Sequence, residues 1–271
     1  MSLQFEIITQ TSMTTPTLLE IGDLQIGYYS QISPEKDKIN GDALLVAIDP
    51  SNGEGIIAVA DGAGGTPKGD EASGIALEEL KKLIKAFNEE SSRYPVLDWI
   101  DHMNQKLLDQ KTGGLTTLCL AHLFDADSVR NYQCGDSSML VLGQRGKRKY
   151  RSIAHSPVGH RIEAGVLEED EALAEEDLFS VTNLLGTGET RVDVGPILKL
   201  SKYDRIVMMS DGLTDNLLLS EITSLSLEPK IDDALNKLKA LAEIRMTEIN
   251  KEIGKPDDLS VLICQFARKS I

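Results

Sequence analysis

Cysteine is scarce. The chain of 271 residues has three, Cys119, Cys134 and Cys264, odd in number and far apart, which reads as free thiols rather than a disulfide framework. Each lies in an apolar, strand-like run and is expected to be buried, which points to a reducing, cytoplasmic setting. Long hydrophobic runs are lacking as well, and no stretch is long enough to span a bilayer. The opening "MSLQFEIITQTSMTT" has no basic patch followed by an apolar run, so a secretory signal is not expected. Positive charge is short: 28 Lys and Arg face 43 Asp and Glu, for a net charge of -15. Such a surface repels phosphate backbones and anionic lipid, so neither nucleic acid nor membrane is an expected partner.

Several catalytic signatures are missing too. No G-x-S-x-G surrounds Ser137 or Ser210, which argues against a nucleophile-elbow hydrolase. No C-x-x-C or H-E-x-x-H occurs, which weakens zinc chemistry, and "GTPKG" is not a complete phosphate-binding loop. His102, His122, His155 and His160 are scattered and read as structural residues.

What is present is ordinary globular material, with 41% hydrophobic residues. Short β-type runs come in pairs around turn-rich segments: Ala43–Ile48 with Gly55–Ala60, Thr117–Phe124 with Val129–Cys134, and "SMLVLG" with "KYRSIA". Arg205–Ser210 and Leu259–Phe266 read as further buried strands. Tight turns between neighbouring strands imply antiparallel sheet. Helical spacing appears over Glu71–Phe87, over Pro95–Gln110 with Trp99, Met103 and Leu107 on one face, and from Ile231 to about Ile249. Hairpins with helices in blocks give an α+β class, antiparallel sheets covered by helices. The acidic stretch from about Ser156 to Asp177 is either a solvated helix or loop, or a mobile flap beside a site.

Four of the strand-like runs end in carboxylates. Asp42 opens one, Asp61 closes "IIAVADGAGG", Asp211 closes "RIVMMSDGLTD", and Asp257 and Asp258 precede "LSVLI". Unpaired carboxylates are costly to bury. If the strands are neighbours, the acids converge at one rim and repel unless a cation neutralises them. Oxygen donors without His or Cys suit magnesium, manganese or calcium. Two such ions sharing a carboxylate form a platform for phosphoryl displacement. The glycine after Asp61 and after Asp211 is expected to let the backbone turn sharply there.

These motifs resemble the metal-dependent protein phosphatases of type 2C, particularly the bacterial ones. The match runs in order along almost the whole chain: "VADGAGG", "GGLTTLCLAHL", "YQCGDSSMLVL", "HSPVGHRIEAG", "LLGTGE", "DRIVMMSDGLTD" and "KPDDLSVLI". The resemblance implies a four-layer αββα sandwich in a single phosphatase domain over residues 1–271, with a flap at about 155–185. It implies hydrolysis of phosphoserine and phosphothreonine in protein substrates by water activated by Mn²⁺ or Mg²⁺. Asp61 resembles the acid bridging two metals, with Gly62 offering its carbonyl. Asp211 and Asp257 resemble ligands of one metal, and Asp42 the acid that orients waters on the other. Asp136, with Asp211 shared, matches a third, weaker site. Asp258 stands where the family usually has Asn. The position of the family's phosphate-binding arginine is Asp37, flanked by Lys36 and Lys38 as substitute point charges. Ala63 fills the place where many eukaryotic members carry a histidine. The missing arginine leaves one rival reading, a non-catalytic phosphoprotein-binding module on the same scaffold.

Overall fold

The computed structural model describes residues 3–35, 39–87, 94–125, 127–247 and 254–266. Its strands in chain order are β1 (Gln4–Thr9), β2 (Thr17–Ile21), β3 (Leu24–Gln31), β4 (Asp42–Ile48), β5 (Gly55–Asp61), β6 (Leu118–Phe124), β7 (Ser128–Cys134), β8 (Ser138–Leu142), β9 (Arg148–Arg151), β10 (Asp193–Val194), β11 (Leu198–Lys199), β12 (Arg205–Met209) and β13 (Leu259–Phe266). The α-helices are α1 (Gly69–Ala86), α2 (Val96–Gln110), α3 (Pro157–Glu163), α4 (Asp211–Thr214), α5 (Leu219–Leu225) and α6 (Ile231–Thr247).

Among the described residues the strands form two antiparallel sheets. The first runs β1-β4-β5-β6-β7-β10, with β11 also on β7, and the second runs β2-β3-β13-β12-β8-β9. The expected hairpins β4/β5, β6/β7 and β8/β9 all form, the last with a register shift between Val141 and Leu142.

Period-two alternation sorts each central strand between two cores. Leu44 and Val46 of β4, Ile57 and Val59 of β5, Met208 of β12 and Leu262 of β13 fill the space between the sheets. Their neighbours Ala43, Leu45, Ile56 and Ala58 instead meet Ala72, Ala76, Leu80, Trp99 and Met103 of α1 and α2. On the far side, Val207, Met209, Val261 and Ile263 meet Leu235, Leu238 and Ala242 of α6. The result is four layers, helix, sheet, sheet and helix. It explains why these strands read as unbroken apolar runs: both faces are covered. The Trp99 and Met103 stripe is core, as expected. Cys119 and Cys264 face the inter-sheet layer and Cys134 the α1/α2 side, and all three are buried and free. No helix among the described residues is long and apolar enough to cross a membrane.

Candidate metal centre

The alternation that builds the inter-sheet core also builds its polar mouth. Counting two residues beyond Leu44 brings Asp42 to the inner side, and two beyond Val59 brings Asp61. On the opposing sheet the same step from Met208 reaches Ser210, and from Leu262 it reaches Ser260 and then Asp258. The acids thus meet from two facing sheets, and not along the edge of one as a reading of neighbouring strands would have it.

Asp42 and Asp61 are direct cross-strand partners in β4/β5. Like charges so placed repel. Asp42 is 1% exposed. Its Oδ2 accepts a hydrogen bond from Ser210 Oγ at 2.7 Å, and its Oδ1 is buried without a partner. Burial pushes its carboxyl well above the usual carboxylate range, and Asp258 adds to the shift. Asp61 is held by its backbone: its N–H donates to Thr117 Oγ1 at 2.9 Å, and its carbonyl accepts from Thr117 N–H at 2.8 Å and Thr116 Oγ1 at 2.7 Å. The threonines of "GGLTT" are therefore a splint for Asp61. Burial raises the Asp61 carboxyl strongly, followed by the charges of Asp211 and Asp42.

Asp211 begins α4 one residue after β12, and its charge bears on the Asp61 carboxyl. Its Oδ1 is also buried and unpartnered. Burial raises its pKa and Asp257 contributes. Asp257 lies in the segment entering β13, where its Oδ1 accepts from Asp258 N–H at 2.9 Å. Asp136 sits in the β7–β8 turn, its pKa pushed up to about 7 by burial and then by Asp211. The Gly135 backbone before it is fastened twice to His155: Gly135 N–H donates to His155 Nδ1 at 3.2 Å, and His155 N–H donates to the Gly135 carbonyl at 2.8 Å. So Asp42, Asp61, Asp136, Asp211 and Asp257 come together. Lys36 and Lys38, the substitute phosphate contacts, lie outside the described residues.

Asp215 and Lys255 belong to the same cluster and were not singled out from the sequence. Asp215 is 6% exposed, one turn after Asp211, with a pKa raised well above the usual range by burial, Asp211 and Asp136. The four-residue spacing in "DGLTD" was the available signal. Lys255 Nζ lies 2.7 Å from Asp257 Oδ2.

The glycines have a different reason from the expected sharp turn. Neither Gly62 nor Gly212 has a left-handed φ. A Cβ on Gly62 would stand 2.0 Å from the Gly69 carbonyl oxygen at the head of α1, and one on Gly212 would stand 1.9 Å from the Asp258 carbonyl oxygen. Backbone packs directly on backbone to bring Asp61 and Asp211 into position. Gly212→Ala should therefore cost about 3 kcal/mol in urea unfolding. By shifting Asp211 it should also cost about 10²-fold in turnover. A variant with wild-type stability would show that α4 can back away from β13 freely.

The donor set fits hard divalent cations. All the converging side chains offer oxygen, and two buried carboxylate oxygens, Asp42 Oδ1 and Asp211 Oδ1, lack partners. Among the described residues, no group of three or more His, Cys, Asp or Glu side chains is placed to hold a metal ion as the side chains stand. The arrangement is one of carboxylate pairs, and magnesium is held by one or two carboxylates with waters filling the remaining positions.

Fold and site together define a class: an αββα sandwich whose two sheets meet at an acidic mouth fitted for divalent cations. The chain belongs to the protein phosphatase 2C family, whose profile matches residues 34–249. It is 30% identical over 186 residues to the protein phosphatase PhpP of Streptococcus pneumoniae, covering 63% of this chain and 72% of that one. Its fold is similar to that of the serine/threonine phosphatase Stp1 from Staphylococcus aureus, with TM-score 0.74, 25% identity, and 95% and 99% of the two chains covered. A further fold relative is the catalytic domain of the phosphatase PstP solved with two manganese ions, with TM-score 0.69, 20% identity, and 89% and 97% coverage.

Proposed function

We propose that this chain is a cytoplasmic, metal-dependent protein serine/threonine phosphatase, a single domain over residues 1–271. Asp61, the Gly62 carbonyl, Asp211, Asp257 and Asp136 would hold Mn²⁺ or Mg²⁺. Such ions, when bound, lower the pKa of water and neutralise charge on a phosphoryl group in flight. The observation that carries this reading is the pair of buried, unpartnered oxygens of Asp42 and Asp211 beside Asp61, the direct cross-strand partner of Asp42.

The chain's own residues supply position. Ser210 holds one oxygen of Asp42, leaving the other to orient water across the mouth. Thr116 and Thr117 keep Asp61 at the end of a stiff strand. Segment 155–185 is read as a flap that shapes the choice of phosphoprotein. It leaves and returns through one clasp, with Thr182 N–H and Oγ1 both donating to the His155 carbonyl at 2.8 and 2.9 Å. Within it, Arg161 pairs with Glu175 and Asp177. The cytoplasmic setting is supported by the three buried free cysteines.

The test is hydrolysis of an aryl phosphate by the full chain. Turnover should require Mn²⁺ or Mg²⁺, disappear with chelator and return with excess metal. Turnover indifferent to chelator would remove the metal from the reaction. Binding of a phosphoprotein without any turnover would favour the non-catalytic module.

A further inference from the structure

A cation is built into the acidic mouth. Lys255 Nζ lies 2.7 Å from Asp257 Oδ2, and its charge is felt by Asp136, Asp211 and Asp215. The backbone beneath it is fixed. Lys255 N–H donates to Asn216 Oδ1 at 3.0 Å, and its carbonyl accepts from Asn216 Nδ2 at 3.0 Å. The same Nδ2 donates to the Gly212 carbonyl at 2.9 Å, and Asn216 is 0% exposed. One buried amide thus ties the root of Lys255 to the turn that carries Asp211. Pro256 fixes the next φ. On its outer side the ammonium lies 4.9 Å from the ring centroid of Phe179, in segment 155–185.

We propose that Lys255 is a tethered counter-ion, neutralising the Asp136, Asp211, Asp215 and Asp257 carboxylates when divalent ions are absent, competing with those ions, and so weakening their binding. This rests on reading the mouth as a divalent-cation site. Four carboxylates outnumber one ammonium, so the lysine relieves repulsion without ending it. An arriving divalent ion meets a positive charge that cannot diffuse away, and like charges a few ångströms apart repel strongly where solvent is thin. The long, flexible stem lets the ammonium swing off Asp257, and the Phe179 ring, which already flanks it, keeps one side of it in contact with an aromatic face at modest cost. The consequence is a site that stays folded in metal-poor conditions and fills only at higher metal concentration.

The experiment is calorimetric titration of Mn²⁺ into the full chain at pH 8, with Asp61→Asn as the low-binding reference. Lys255→Met keeps the stem and removes the charge. It should bind Mn²⁺ about tenfold more tightly than wild type, and in chelator it should melt at a lower temperature. Lys255→Arg keeps the charge and should stay within about twofold of wild type. An unchanged or weaker Mn²⁺ affinity in Lys255→Met overturns the proposal, with or without a rise in KM for aryl phosphate, because the lysine would then serve the substrate or the fold. A chelated Lys255→Met that melts no lower than wild type also overturns it. Wild type that binds no Mn²⁺ at all overturns the functional reading itself.

Discussion

Asp61→Asn is expected to lower aryl phosphate turnover by about 10³-fold or more while leaving the fold intact. Asp61 stands in the mouth opposite Asp42 in the ladder, and the charge of Asp211 bears on it. Asparagine keeps the shape and the splint, because the bonds to Thr116 and Thr117 are made by the Asp61 backbone. It removes one of the mutually repelling charges and replaces an acceptor oxygen with an amide donor. The metal-free variant should therefore melt at a higher temperature than metal-free wild type at pH 8, and Mn²⁺ should no longer raise its melting point. A merely structural residue would behave oppositely, losing stability together with activity. The measurements are kcat on an aryl phosphate and melting temperature with chelator and with Mn²⁺. Turnover within tenfold of wild type would remove Asp61 from the metal centre.

Much of this was legible in the chain. The hairpins announced themselves through turn residues between apolar runs, and the acid-tipped strands through an abrupt change from apolar to charged. Sequence could not say that the four tips belong to two sheets. Alternation tells which residues share a face and says nothing of which face meets which. The first three strands also escaped. Every residue of β1 is half-buried, so its pattern never alternates cleanly. In β3, Gly27 resembles a breaker, yet it is there for packing: a Cβ would meet Ile231 Cγ2 of α6 at 2.4 Å.

Asp258 shows what structure adds to a departure from a family pattern. Its Oδ1 accepts from Ser33 N–H and its Oδ2 from Gly41 N–H, both at 2.7 Å. Both oxygens are acceptors for fixed backbone donors, and one donor lies next to Asp42. An asparagine there would turn an amide group toward one of those N–H groups. In this chain the second aspartate matches its surroundings, and it fixes the entrance to β4 beside Asp42.

Metal-free protein should lose stability as pH rises from about 4 through 7, and Mn²⁺ should abolish that loss. An unfolded aspartate titrates near 3.9. Folding raises the carboxyls of Asp42, Asp61, Asp136, Asp211 and Asp215, chiefly through burial, with Asp136 reaching about 7. A raised carboxyl means that the folded state holds the proton more tightly than the unfolded state. Its contribution is complete below about pH 4 and disappears as the pH passes the folded value. Asp136 alone is worth on the order of 4 kcal/mol over that interval. For a chain of this size that corresponds to about 10 °C of melting temperature. Divalent cations replace the protons as the neutralising charge, so their stabilising effect should be small near pH 5 and large near pH 8, and their binding should release protons between. Melting curves with chelator and with Mn²⁺ across pH 5 to 8 measure both effects. A chelated protein whose melting point is flat or rises over that range would mean that the acids are already neutralised from within, and that the repulsion at the mouth is not what the cations relieve.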